Sequence, residues 1–330
     1  MPRASARTTT DQAGVALVGA LIVVALVAII AAGVLAQQGQ AVHTAGGQRD
    51  LAAARWLARG TIDWARNMLA EDGRNTPVDH LGEGWALRIP PLAVLDGGEV
   101  AGEIEDHSGR FNLNNLRRDG GIQFPQKAAL HRLLEHLGYP AAQAGPLCDA
   151  LADWLDDDER PVAPHSAESD YYGSQVPPYR AANRPLDDVG DLLRIRGFSP
   201  AIVERLRPFV TAVPVPFGLP ATAVNVNTAP PEVLAAVLPG LSLDAARLLV
   251  AERSRRWFDP RGGDRLDDLR QRLPGGTAPV DGIPLDVRSQ WFVVTGRARY
   301  GEAVTQMRVL LFRSVLVGAA WPSVVWQRIL

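Results

Sequence analysis

Apolar residues run without a charge or a proline from Val15 to Ala36, behind a polar leader that ends in Gly14. A run of that length can cross the hydrocarbon core of a bilayer as one helix. Arg3 and Arg7 lie in the leader, and positive charge there favours keeping that end cytoplasmic. Past Gln37 the pattern changes but stays helical. Leu51, Ala54, Ala58, Ile62, Ala65 and Leu69 recur at three- and four-residue spacings, with Arg49, Arg55, Arg59 and Arg66 off the stripe. That is the period of a helix packing one face on a core. The two patterns predict one long rod, weakened at Gly46-Gly47 and ending near Gly73.

Strand patterns follow. Trp85 to Ile89 is short and apolar, and Glu99 to Asp106 alternates with period two, the mark of a half-buried strand. Near the other end, Trp291 to Tyr300 and Ala303 to Phe312 predict two strands around Gly301, with Val324 to Leu330 as another. Between them a helical block extends from about Ile122 to Leu285. Its predicted helices are Gln126 to Leu137, Pro146 to Leu155, Leu186 to Ile195, Pro200 to Leu206, Pro231 to Leu238, Leu243 to Arg253 and Arg265 to Arg272. Gly138, Pro140 and Gly197 supply stops; Ser199 supplies a cap. A helical block between two β-rich ends predicts an insertion into an α+β domain. The expected parts are a leader (1–14), a helix (15–72), a first β part (73–121), the inserted helical domain (122–285) and a second β part (286–330).

Composition narrows the function. At 330 residues and 47% hydrophobic, the chain can bury a large core. A net charge of −2 gives no bulk drive toward nucleic acid. Cys148 is the single cysteine, so no intramolecular disulfide forms, and its neighbours Leu147, Leu151 and Trp154 predict a buried, inert thiol. The six histidines are scattered. No Gly-rich phosphate loop, Gly-x-Ser-x-Gly elbow or His-Glu-x-x-His motif occurs, so binding rather than catalysis is expected.

Carboxylates concentrate at one place. Helical spacing puts Asp149, Asp153 and Asp156 on one face; Asp157, Asp158 and Glu159 leave the helix, and Glu168 and Asp170 return after a Pro-broken loop. So many carboxylates repel unless a cation neutralises them. Oxygen ligands in a flexible loop suit Ca²⁺ better than Zn²⁺. The stretch is not an EF-hand, because Asp156-x-Asp158-x-Arg160-Pro161 lacks the turn glycine. The plainer reading is a solvated acidic helix end. A second candidate, Val226-Asn227-Thr228-Ala229-Pro230-Pro231 through Leu238-Pro239-Gly240-Leu241, looks like a helix-hairpin-helix unit of DNA-uptake proteins. Ser242 replaces its second glycine, and Arg253, Arg255 and Arg256 stand nearby.

The apolar run itself has three readings: a secretory signal cut after Val34-Leu35-Ala36, a plain anchor, or a pilin-like leader cut between Gly14 and Val15. Gly14 followed by Val15-Ala16-Leu17 resembles the leader of type II secretion pseudopilins. Most of that family carry Glu at the fifth position after the cut; here it is Gly19. A carboxylate in hydrocarbon costs about 2.5–3.5 kcal/mol unless paired, and the resemblance implies pairing with the amine of the neighbouring subunit. A chain with Gly19 has no such group to offer. Asp106 with Phe111-Asn112-Leu113-Asn114, then Asp153-Trp154-Leu155-Asp156-Asp157-Asp158, Tyr171-Tyr172, Pro177-Pro178-Tyr179-Arg180 and Val224-Asn225-Val226-Asn227-Thr228 occur in an order similar to the minor pseudopilin K family.

That resemblance implies a pilin-like fold, a long N-terminal helix on an antiparallel sheet with a large all-α domain inserted in it. It implies cleavage by a prepilin peptidase, a single-pass inner-membrane location with the N-terminus cytoplasmic and the bulk periplasmic, and a place at the pseudopilus tip set by Gly19. The partners it implies are the minor pseudopilins I and J; no nucleic-acid partner is expected. The acidic positions it implies for Ca²⁺ are Asp153, Asp156, Asp158, Glu168 and Asp170, with Ser169 where relatives often have another acid. The alternative is a membrane-anchored nucleic-acid-binding protein.

Overall fold

The computed structural model describes residues 11–94, 97–164, 166–260, 264–314 and 321–330. Helix α1 spans Asp11–Asn75. It continues unbroken through Gly46 and Gly47, because glycine lowers helix propensity by only about 1 kcal/mol and does not forbid the conformation. The leader before residue 11 lies outside the described residues. Gly14 and Val15 fall in the first turns of α1, where only the backbone course is described. From Ala16 to Leu35 the apolar half packs against nothing in the chain; Ile29 is 69% exposed and Leu35 68%.

Strands β1 (Ile89–Val94) and β2 (Gly98–Asp106) follow. The inserted block then carries β3 (Phe111–Asn112), β4 (Arg117–Arg118), β5 (Gly121–Ile122), α2 (Phe124–His136), α3 (Ala141–Leu155), α4 (Ser169–Gly173) and α5 (Pro200–Leu206). It continues with β6 (Val210–Thr211), β7 (Val224–Asn225), α6 (Pro231–Val237), α7 (Leu243–Arg253), α8 (Asp267–Arg272) and β8 (Leu285–Asp286). The chain ends in β9 (Trp291–Tyr300), β10 (Ala303–Phe312) and β11 (Ser323–Ile329).

Two local expectations change. Trp85 sits in one 3-10 turn, Gly84–Ala86, and the strand starts only at Ile89. The Glu83 carboxylate accepts both the Trp85 indole N–H (2.8 Å) and the His80 backbone N–H (2.9 Å), which bends the chain there. The segment around Leu186 to Ile195 forms a 3-10 helix, Val189–Arg194, closed by a capping box between Asp188 and Asp191.

The main sheet is antiparallel in the order β1-β2-β9-β10-β11. One face covers the packed half of α1, where Ala58, Ile62, Ala65 and Leu69 meet Phe292, Val294, Met307 and Val309. The approach is close because Gly102 pairs directly with Gly296 on neighbouring strands. A Cβ on Gly296 would stand 3.2 Å from the Ala58 carbonyl oxygen, and one on Gly102 would stand 3.0 Å from Thr61.

The helical block occupies the connection from β2 to β9, which are themselves adjacent and antiparallel. Its entry and exit meet. His107 donates its backbone N–H to the Trp291 carbonyl (2.9 Å), and the Ser108 hydroxyl accepts from the N–H of Gln290 and of Trp291 (3.0 Å each). Inside, one apolar core joins α2, α3, α5, α6 and α7 through residues such as Leu133, Leu151, Trp154, Leu206 and Leu234. Cys148 lies in that core, and burial pushes its thiol up to about 12.

Asn114 and Asn227, in segments 111–114 and 224–228, are buried staples. Asn114 bonds both the N–H (2.8 Å) and the carbonyl (3.0 Å) of Leu186, and Asn227 does the same with Phe258 (2.8 and 2.9 Å). β3 pairs in parallel with β6, so Phe111 and Asn112 belong structurally with the helical block.

Candidate metal centre

Helix α3 ends at Leu155 with Asp156 as its C-cap. Leu147, Leu151, Trp154 and Leu155 hold it in the core, and that packing carries Asp153 and Asp156 inward with them. The chain then turns. Asp157 is engaged elsewhere: its N–H bonds the Gly120 carbonyl (2.9 Å) and its carboxylate takes Arg117 (2.5 Å). Asp149 is paired with Lys127, which removes it from the acidic group. Asp158 accepts from the Arg160 N–H (2.7 Å) and remains exposed. The loop returns at Glu168, the N-cap residue of α4, with Asp170 in the first turn.

One carboxylate oxygen each from Asp156, Asp158 and Glu168 lies within 4.8 Å of the others. Asp153 is fully buried beside them; one of its oxygens accepts the Val162 N–H (2.9 Å) and the other has no partner. Asp156, 4% exposed, has one orphaned oxygen, and Glu168, 6% exposed, has two. Asp170 is exposed and stands outside that group, on the rim of the same cleft with Glu159 and Tyr179. Ser169 donates its hydroxyl (3.0 Å) and its N–H (3.3 Å) to Glu159, a residue the sequence reading left outside the site.

The electrostatic cost is visible. Burial first, and then Asp158, Asp153 and Asp157, push Asp156 up to about 7. Burial first, and then Asp153, Asp156, Glu159 and Asp158, push Glu168 up to about 8. Burial also raises Asp153. Buried carboxylate oxygens without a donor lose hydration with nothing in return. A hard divalent cation would supply what this all-oxygen set lacks, and the residues present fit one.

Asp72, Asp79 and Glu83 form a second group within 4.8 Å, but the chain fills it with its own cation. Buried Arg313 donates to Asp72 (3.0 Å), Asp79, the Leu69 carbonyl (2.9 Å) and the Ser289 carbonyl (3.2 Å). Next to it, Asp106 accepts from the hydroxyls of Ser289 (2.6 Å) and Thr228, and burial raises it to about 6. No local pattern announces this joint, because Arg313 and Asp79 are 234 residues apart.

In the hairpin-like unit, Gly240 has the left-handed φ of +88° expected at its turn. Arg253 points inward to the Val226 carbonyl, and Arg256 pairs with Asp268 (3.2 Å). Both arginines are spent on structure.

Residues 109–215 and 224–288 match two family models, each described as type II secretion system (T2SS), protein K. The chain is 37% identical over 297 residues to the type II secretion system protein K of Pseudomonas aeruginosa, covering 88% of this chain and 86% of that one. It is 32% identical over 311 residues to the Klebsiella pneumoniae protein of the same name, covering 91% and 92%. The crystal structure of the GspK-GspI-GspJ complex from the enterotoxigenic Escherichia coli type 2 secretion system contains a chain of similar fold. Its TM-score is 0.67 at 22% identity, over 87% of this chain and 99% of that one.

Proposed function

The chain belongs to the type II secretion system protein K family and is a minor pseudopilin; from that premise we propose that it stands at the tip of the pseudopilus and limits its growth. The observation that carries this reading is the division of α1, whose apolar half packs against nothing in the chain while the other half is locked into the sheet. An unpartnered apolar rod continuous with a folded head is what a pilin-like subunit needs to sit in the inner membrane and then in a fibre. Its N-terminus would face the cytoplasm and its head the periplasm. Gly19 lies in the exposed half and offers no acid to a subunit below or above. Such a subunit has no acid to pair with the amine of a subunit already in place, so it need not dock beneath another and suits the first place in the fibre. The pseudopilins I and J would pack along the upper part of α1. The role is assembly rather than catalysis.

Calcium completes the proposal. Asp153, Asp156, Asp158 and Glu168 would hold the ion, with Asp170 able to approach from the rim. The orphaned oxygens support this. The bound ion would pin the loop between α3 and α4 and order that surface of the head.

The deciding measurement is the intact mass and N-terminal sequence of the mature protein from membranes. A start at Val15 is expected, from prepilin-peptidase cleavage after Gly14, and replacement of Gly14 should block maturation and secretion together. A start at Gln37 would mean a secretory signal and remove the tip from consideration. Equilibrium dialysis of the full chain in detergent tests the ion: no calcium bound would overturn that part.

A further inference from the structure

A cleft of about 350 Å³ opens on the face of the sheet opposite α1, where the sheet meets the helical block. Its floor is apolar, formed by Val213, Val293, Leu310 and Trp326. Its walls are charged, and nearly every charge is already answered. Glu105 is paired with Arg110 (2.5 Å), Asp188 with Arg328 (3.1 Å), Asp187 with Arg184 (2.9 Å) and Arg207 with Glu204 (2.6 Å).

Arg308 is the exception. Among the described residues it has no hydrogen-bond or ion-pair partner, although it is half-buried in the cleft wall. The strand register makes its position worse, because Arg308 on β10 lies directly opposite Arg328 on β11. Like charges facing each other across a sheet are unfavourable unless something intervenes.

His107 lines the same cleft and is only 7% exposed. Its Nδ1 lies 2.8 Å from the Thr211 hydroxyl, while its Nε2 has no hydrogen-bond partner. The nearest carboxylate oxygen, on Glu105, is 3.8 Å away, too far for a hydrogen bond. Burial holds the imidazole neutral, at about 4. Thr211 can donate to Nδ1 or accept from it, so the contact fixes the ring's orientation and not its tautomer. The cleft therefore offers one uncompensated guanidinium above an apolar floor, while the buried His107 Nε2 stands beside the Glu105 carboxylate.

We propose that this cleft binds the carboxylate of an extended polypeptide, with Arg308 holding the carboxylate and the floor at Trp326 taking the apolar side chain beside it. A guanidinium is matched to a carboxylate in geometry and charge. The cavity lies at the small end of the range for ligand pockets, enough for the last residue or two of a chain or for an acidic side chain with an apolar neighbour. For a secretion pseudopilin, such a site would let the head engage a polypeptide directly. The inference rests on the cleft alone and stands whether or not the chain caps a fibre.

Isothermal titration of the full chain in detergent with acetyl-Ala-Phe as the free acid tests it, with acetyl-Ala-Phe-amide as the comparison on the same wild-type protein. The free acid should bind in the roughly millimolar range and the amide should not. Acetyl-Ala-Glu-Phe-amide separates the sources: binding by it alone would assign the site to side-chain carboxylates, and binding by the free acid alone to chain ends. Arg308→Gln should weaken binding at least about tenfold, the worth of one charge-assisted contact. Arg308→Lys should retain part of it, and Arg297→Gln, an exposed strand arginine outside the cleft, should change nothing. Binding by neither carboxylate peptide, equal binding by the amide, or a folded Arg308→Gln protein that binds as wild type would each overturn the proposal.

Discussion

The carboxylates of the candidate metal centre make opposite predictions with and without calcium. In calcium-free protein at about pH 8.5, Glu168→Gln should raise stability by on the order of 1 kcal/mol or more, since the charged form is the one that burial and its neighbours penalise. With calcium, the same variant should lose most of the ion-dependent rise in Tm. A ligand that were merely a solvated surface acid would show neither effect. The pH dependence follows from the same groups. Asp156 sits at about 7, Glu168 at about 8 and Asp72 at about 7, all raised above their ordinary values. Between about pH 5 and 7 all three groups, and up to about pH 8 Glu168, hold protons in the native chain that the unfolded chain has released, so calcium-free stability should fall as pH rises across that window and level off above it. Calcium affinity should increase over the same window, because the ion competes with those protons. Urea titrations at several pH values, with calcium and with chelator, read both slopes; parallel slopes would refute the site.

Among the elements, the fit of α1 to the sheet depends on absence of volume as much as on apolar area. Gly102 and Gly296 form a notch beneath Ala58 and Thr61, and Gly296→Val should cost about 1–3 kcal/mol in urea or thermal denaturation by forcing the helix outward. Arg313→Met should cost more, about 3–5 kcal/mol, because it leaves Asp72 and Asp79 buried without their cation. These two sites differ in how far the sequence could reveal them. The stripe Ala54-Ala58-Ile62-Ala65-Leu69 fixes the buried face of α1 by period alone, and the alternation of residues 99–106 marks β2. The Arg313 joint has no period; it is made by residues more than 230 positions apart, and only the closed sheet brings them together. The candidate metal centre lies between these cases. Its acids could be listed from the sequence, but their helical spacing could not tell that Lys127 takes Asp149 and Arg117 takes Asp157, leaving Asp153, Asp156 and Glu168 with orphaned oxygens. Arg308 carried no local signal, because what singles it out is that nearly every other charge in the cleft is already paired.

At the scale of the whole molecule, the helical block is a module lodged in a hairpin. Asp106 on β2 faces Phe292 on β9, and the next pair, His107 and Trp291, is already hydrogen-bonded. Replacing residues 109–289 by Asn-Gly would join Ser108 to Gln290 through a two-residue turn, the loop length that such antiparallel neighbours favour. The excised chain keeps α1, the five-stranded sheet and both arms of the Arg313 pair with Asp72 and Asp79. It loses the hydroxyls of Ser289 and Thr228 at Asp106, but that carboxylate then opens to water. The excised chain should therefore fold and insert in the membrane with α1 still packed, as read by circular dichroism and by protease resistance of the head. If the helical block is what limits growth, cells carrying only this version should assemble longer pseudopili in electron micrographs. Unchanged fibre lengths with a folded excised chain would defeat the capping role while leaving the modular fold intact, and a chain that failed to fold would defeat the modular fold itself.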